Sequence, residues 1–245
     1  MAKLRASTIE PEGATTALTL GASGDAVTFS SDMIKANTFK DAGGNTLWTS
    51  NGSGTLSSVN SALSGGGYTY ISTTTVSSAV TAVEITTGID STYDEYLIII
   101  TDYSVATNSA SLCMNLSINA GGSYSAVNRT SNGVNSYNNA TSGTQGVAYA
   151  SGWDLSNGTG DLFLIVELEN NANSNACGLV SLYQPSNTTY MCQWESRMSS
   201  LNYNNRSQDW WTSGYVQSAS AVNAVQFLCN NGNMTNGVFQ LYGVS

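Results

Sequence analysis

The chain has 245 residues, of which 9% are charged, and its seven Lys and Arg against 16 Asp and Glu give a net charge of −9. The cations are few and scattered, which excludes nucleic-acid binding, because that function needs clustered Lys and Arg to displace counterions from phosphates. There is no histidine, so Ser-His-Asp and Cys-His catalysis and histidine-containing zinc sites are excluded as well. We expect no catalytic residue, no cofactor and no metal.

The first sixty residues hold too few apolar side chains to form a core within one chain. These side chains come in pairs separated by turn-forming residues, such as those at 41–45, a pattern typical of short β-strands. Short β pairs cannot bury their apolar face alone, so we predict that 21–60 is an intertwined β stalk of an oligomer and that 61–67 is a linker. The predicted stalk core consists of Leu18, Leu20, Val27, Phe29, Ile34, Phe39, Leu47 and Trp48.

From residue 68 onward, apolar and polar residues alternate with a period of two, as in half-buried β-strands. Such runs lie at 68–72, 83–87, 112–118, 162–169, 177–184, 189–196, 222–229 and 238–244, and the continuous apolar run 96–100 has the length of a strand. The polar segments 128–146 and 200–212 are predicted as loops. Helix signals are poor, so the predicted fold class is all-β, with the short N-terminal segments followed by an antiparallel jelly-roll-like β-sandwich at 68–245.

The four cysteines lie in strand-like segments and include no C-x-x-C pair, which excludes a zinc ribbon. Cys192 and Cys229 share strand faces with aromatic and aliphatic residues, so we predict both in the core. No apolar run approaches the roughly 20 residues of a membrane span, and the N-terminus lacks the hydrophobic segment of a signal peptide. We therefore expect neither membrane insertion nor export by that route. A reducing cytosol argues against disulfides, but cysteine spacing leaves their pairing open.

Carboxylates are the remaining catalytic option, because two of them at a suitable separation hydrolyse glycosides. The candidates are Asp94, Glu95, Asp154, Asp161, Glu167, Glu169, Glu195 and Asp209. A turn or the wet face of a strand is the stronger explanation for each of them.

Two segments near the start of the chain are 17–29, ALTLGASGDAVTF, and 34–48, IKANTFKDAGGNTLW. Together with 85–99, ITTGIDSTYDEYLII, and the terminal 241–244, LYGV, they resemble fibre proteins of tailed bacteriophages, most closely those that infect cyanobacteria and other aquatic bacteria. The resemblance implies a homotrimeric, non-enzymatic tail fibre that is assembled in the host cytoplasm. Residues 1–20 would attach it to a tail, baseplate or capsid protein of the virion, and the sandwich tip would contact the host surface. A capsid decoration or head-fibre protein is the alternative, and a glycan depolymerase is the second alternative.

A tip that adheres to a bacterial surface would bind polysaccharide, and sugar sites pair aromatic faces with amide and hydroxyl groups. Side chains of this kind cluster in 200–212, and one more tryptophan lies in another polar loop. The candidate host-binding residues are Trp153, Tyr203, Arg206, Asp209, Trp210 and Trp211. Alternatively, Trp210 and Trp211 cap the sandwich or pack against a neighbouring subunit.

A shared trimeric stalk has a direct hydrodynamic consequence. The purified chain should sediment at three times 25.6 kDa in dilute buffer, because the N-terminal strands need the apolar surface of sister copies. Analytical ultracentrifugation measures this mass, and a stable monomer would contradict the shared-core prediction.

Overall fold

The computed structural model describes residues 38–41, 43–53, 56–59 and 67–244, and the regular structure within these ranges is β throughout. No helix with the length and hydropathy of a membrane span occurs within them. The chain divides into two units, Met1–Gly65 and Gly66–Ser245. The predicted attachment segment, residues 61–66 of the predicted linker and five residues of the predicted stalk core lie outside the described residues. Those five are Leu18, Leu20, Val27, Phe29 and Ile34.

The first unit contains an antiparallel sheet in the order β1-β2-β3, formed by Thr38–Lys40, Thr46–Ser50 and Leu56–Val59. Asp41 fixes the turn between β1 and β2, because its carboxylate accepts hydrogen bonds from the backbone and side-chain amides of Asn45 at 2.8 and 3.0 Å. The turn that was expected from the sequence at 41–45 is therefore confirmed.

The apolar side chains of this small sheet are only partly covered. Phe39 stacks on Trp48 with ring centroids 4.0 Å apart, yet both side chains are half-buried, as is Leu47. Leu56 and Val59 are exposed. None of the side chains described in β1–β3 is fully buried. This sheet therefore exposes apolar surface that another protein surface could cover. The oligomeric stalk stays a prediction, which this exposure supports.

The strands of the second unit form two sheets, which pack as two layers. They are β4 Tyr68–Val76, β5 Ala82–Ile85, β6 Glu95–Val105, β7 Ala110–Ser117, β8 Arg129–Asn139, β9 Gln145–Tyr149, β10 Leu162–Leu168, β11 Ala176–Tyr183, β12 Gln193–Leu201, β13 Arg206–Val216, β14 Ala224–Cys229 and β15 Met234–Val244. Eight of them form two antiparallel arrays in the orders β4-β15-β6-β11 and β5-β14-β7-β10. In each array a strand from the end of the chain lies between two early strands, which is the Greek-key arrangement of a jelly roll. The predicted fold class is confirmed.

The core lies between these two arrays and is filled by alternate apolar side chains. Ile98 and Ile100 of β6 are fully buried, as is Leu112 of β7. Phe227 of β14 packs on Phe239 of β15 with ring centroids 5.1 Å apart, which joins the two layers. Cys192 and Cys229 are buried, as predicted, and so is Cys113. All four cysteines are free thiols.

Four further strands lengthen the larger sheet, whose full order is β4-β15-β6-β11-β12-β13-β8-β9. They come from two hairpins inserted into the jelly roll, β8–β9 between β7 and β10, and β12–β13 between β11 and β14. β13 pairs along its whole length with β8 and, over most of it, with β12. We call β12, β13, β8 and β9 the extension.

The prediction that 128–146 and 200–212 are loops is wrong, because β8 and seven of the 11 residues of β13 lie there. The inward positions of these strands carry Ser131, Gln208 and Thr212 rather than aliphatic side chains. Period-two alternation is recognised from apolar residues, so polar inward positions conceal a strand. The predicted strand 189–196 begins only at Gln193. Before it, the Asn187 side chain accepts hydrogen bonds from two successive backbone amides and holds a turn.

Arg129, at the start of β8, is fully buried and joins two loops to the sandwich. Its guanidinium donates hydrogen bonds to the backbone carbonyls of Tyr124 at 2.7 Å, Thr159 at 2.5 Å and Gly160 at 3.0 Å. Burial lowers the pKa of this arginine. Its charge is thus held by carbonyl dipoles from the connections β7–β8 and β9–β10.

Replacing this buried cation should destabilise the sandwich. We expect Arg129→Met to lower the free energy of unfolding by about 3 kcal/mol, because the partly buried carbonyls of two loops lose their common donor. Arg197→Met removes an arginine whose side chain is 62% exposed and should cost less than about 1 kcal/mol. Urea unfolding of both variants measures the difference, and equal losses would show that the Arg129 contacts do not stabilise the fold.

Candidate functional site

The extension has one face toward the smaller array and one face toward solvent. Trp194, Met198 and Trp210 are buried on the inner side, where β10 packs against β12 and β13. Along β12, buried and exposed side chains alternate at every residue. We define the outer face as the outward-pointing side chains of β11, β12, β13 and β8.

The antiparallel register places four side chains of the outer face in one row across the strands. Leu179 lies opposite Arg197, Arg197 opposite Trp211, and Trp211 opposite Val134. Directly opposite residues have their Cβ atoms about 5 Å apart. Leu179 is 38% exposed and Trp211 is 49% exposed. The row therefore presents apolar and aromatic surface to solvent, interrupted by a single cation.

Arg197 is held in place by two neighbours on β13. Its Nε donates hydrogen bonds to both carboxylate oxygens of Asp209 at 3.2 Å, and its Nη2 donates to Oδ2 at 2.8 Å. The guanidinium carbon lies 5.4 Å from the ring centroid of Trp211, within the range of a cation–π contact. The hydrogen bond to Asp209 raises the pKa of Arg197. These contacts fix a cation, a carboxylate and an indole as one cluster.

Two adjoining depressions, of about 570 and 610 Å³, flank this cluster and share Leu179 and Arg197. The polar side chains that line them include Asn132, Ser136, Asn138, Ser199, Ser207 and Ser213. Amides and hydroxyls both donate and accept hydrogen bonds. The outer face therefore combines an exposed indole with many neutral hydrogen-bonding groups, a set of side chains that suits a polyhydroxylated ligand.

Glu195 lines the second depression, where it accepts a hydrogen bond from the hydroxyl of Tyr183 at 2.7 Å. Partial burial, together with this hydrogen bond, raises the pKa of Tyr183 to about 12. The phenol donates this hydrogen bond at neutral pH and orients one carboxylate oxygen of Glu195.

Of the six predicted host-binding residues, the structure brings only Asp209 and Trp211 together on the outer face. Trp210 is 3% exposed and points inward, where its Nε1 donates to Oε1 of Gln208 at 3.0 Å. Gln208 in turn donates to the carbonyl of Val166 at 2.7 Å and to Ser200 Oγ at 2.9 Å. Adjacent residues of a strand face opposite sides, so Trp210 is a core residue and lies away from the outer face. It borders a smaller depression of about 270 Å³, which Trp153 also lines.

The other three predicted residues lie elsewhere. Trp153 is in the β9–β10 loop and packs edge-on against Phe163, with ring centroids 5.0 Å apart. Tyr203 is in the β12–β13 turn, and its backbone amide donates to the carbonyl of Glu167. The guanidinium of Arg206 lies 4.7 Å from the ring centroid of Tyr137. None of the three lines the two depressions of the outer face.

The sequence analysis did not identify Arg197 and Leu179 as site residues. Leu179 lies in a strand that the sequence predicts, and Arg197 lies in β12, just beyond the end of the predicted strand 189–196. The alternation along 193–201 is visible in the sequence and identifies Arg197 as outward-facing. Its pairing with Asp209 depends on the register between β12 and β13, which the sequence pattern does not reveal.

In the part of the chain that the structure describes, no group of three or more Cys, Asp and Glu side chains is placed to hold a metal ion. No family model, curated protein or solved structure matches the chain.

The adjacent tryptophans should respond differently to the same substitution. Trp210→Phe should lower the free energy of unfolding by about 2 kcal/mol, because it leaves a buried carboxamide oxygen without its donor and reduces the packed volume. Trp211→Phe should change it by less than about 0.5 kcal/mol, since that ring is half exposed. Chemical denaturation of the two variants tests the assignment of the two faces, which a larger loss for Trp211→Phe would contradict.

Proposed function

We propose that the chain is a non-enzymatic adhesion protein that binds a surface polysaccharide on the outer face. In line with the resemblance of its sequence to phage fibre proteins, the adhesion would serve a homotrimeric tail fibre anchored through its N-terminus to another virion protein. The observation that carries the proposal is the exposed Trp211 on a rigid, fully paired strand, beside two depressions lined by amides and hydroxyls.

Sugar rings have apolar C–H faces and hydroxyl edges, so their binding sites need one flat apolar surface and several neutral hydrogen-bonding groups. Trp211 supplies a large aromatic surface, and its amphipathic ring costs little to expose. Asn132, Ser199 and Ser213 supply donors and acceptors on either side of it. Because these groups stand on paired strands rather than on mobile loops, little conformational entropy is lost when a ligand binds.

A shallow site of this kind binds each sugar weakly. In a trimer, three copies of the outer face would act on one repetitive polymer, and the second and third contacts would form at high effective concentration. The predicted N-terminal stalk fits the same proposal, since it would provide multivalency for adhesion to a polysaccharide.

Removal of the indole should weaken adhesion without disturbing the fold. We expect Trp211→Ala to lower the retention of the full chain on immobilised polysaccharide at least about tenfold, because the variant loses one well-placed aromatic contact. Tyr190→Ala is the matched control, because Tyr190 is 69% exposed but lines neither depression. Equal retention of both variants and the parent chain on every polysaccharide that the parent binds would remove the outer face from the proposal.

A further inference from the structure

We infer that the outer face selects uncharged polysaccharide, and that the ion pair between Arg197 and Asp209 sets this specificity. The inference rests on the proposed function and names the ligand class of the same site. Three features of the outer face lead to it: the sign of its charges, the engagement of its single cation, and the neutrality of its remaining polar groups.

The charges of the outer face favour the exclusion of anions. Among the described side chains that line the two depressions, Glu195 and Asp209 are acidic and Arg197 alone is basic. The surrounding unit adds to this field, since residues 67–244 hold eleven Asp and Glu and three Arg. One of those arginines, Arg129, is fully buried. An acidic polymer therefore approaches a surface of its own sign, which slows association and raises the cost of contact.

Arg197 is the group that would otherwise recognise an acidic sugar. Guanidinium binds carboxylate through two parallel hydrogen bonds, and Asp209 already occupies that geometry through Nε and Nη2. A uronic acid would have either to displace Asp209 or to use the remaining edge of the guanidinium, where its carboxylate would lie beside the negative charge of Asp209. Asp209 therefore competes with anionic ligands for Arg197 and repels them by its own charge, which favours uncharged ligands.

Neutral sugars meet no such conflict. Their hydroxyls can donate to carboxylate lone pairs that Arg197 does not use, and they can exchange hydrogen bonds with Asn132 and the serines of both depressions. The ion pair also keeps the guanidinium against the Trp211 ring, which leaves the cluster in one arrangement for ligand binding.

The test uses the full-length chain on an array of neutral oligosaccharides and of matched oligosaccharides that carry uronic acids or sulfate. We expect the parent chain to bind neutral members only. For the best neutral ligand and its uronic acid counterpart, titration calorimetry then gives the ratio of acidic to neutral affinity for each variant.

Asp209→Asn should raise this ratio at least about tenfold, because it frees Arg197 for a ligand carboxylate. Glu195→Gln removes the same charge but no hydrogen-bond partner of Arg197, so it should raise the ratio by less than about threefold. Both variants should keep the parent's unfolding midpoint, as checked by thermal denaturation.

Two results would overturn the inference while leaving polysaccharide adhesion intact. One is a parent chain that binds acidic glycans as tightly as neutral ones, and the other is an equal ratio for Asp209→Asn and Glu195→Gln. Failure to bind any glycan, neutral or acidic, would overturn the proposed function and the inference together.

Discussion

The organisation of the second unit depends on the strict alternation of side chains along paired strands. β12, β13 and β8 pair in register, so each residue of these strands faces either the core or solvent. Burial of Trp210 on one side therefore requires Trp211 to face the other. The same rule places Arg197 outward between two inward-facing neighbours. The proposed site is thus a consequence of how the core is filled, since the buried residues fix which side chains remain for a ligand.

The two inserted hairpins extend the larger sheet beyond the eight strands of the jelly roll and so enlarge its solvent-facing side. The smaller array covers the inner side of the larger sheet, with β10 reaching β12 and β13. The outer side of the extension has no second layer among the described residues, and its side chains form the two depressions. A rigid sheet in this position combines the precision of paired strands with an accessible polar surface. The first unit differs from it, because Phe39, Leu47 and Trp48 are only half-buried and offer apolar surface for association.

Much of the fold follows from the sequence, because aliphatic alternation in β7 and β10 and the short apolar run near the start of β6 identify strands directly. β8 and β13 escaped detection because their inward residues are polar, and only the structure shows how those groups are satisfied. Ser196 and Thr212, for example, hydrogen-bond to each other across the sheet at 3.1 Å. The sequence indicates a role for the tryptophan pair, but alternation alone does not say which member is buried. Cross-strand contacts such as Arg197 with Asp209 depend on register, which is decided by the whole sheet.

Oxidative footprinting of the full chain with and without a bound polysaccharide tests the central claim most directly, because exposed aromatic and sulfur-containing side chains report contact one by one. Trp211 on the outer face, Tyr190 and Met191 in the β11–β12 connection, and Tyr68 on the edge strand β4 are all exposed and serve as reporters. Adhesion through the outer face predicts that the ligand protects Trp211 from oxidation and leaves the other three unchanged. Protection of Tyr68 or of the β11–β12 connection, with Trp211 oxidised as in the free protein, would contradict the account.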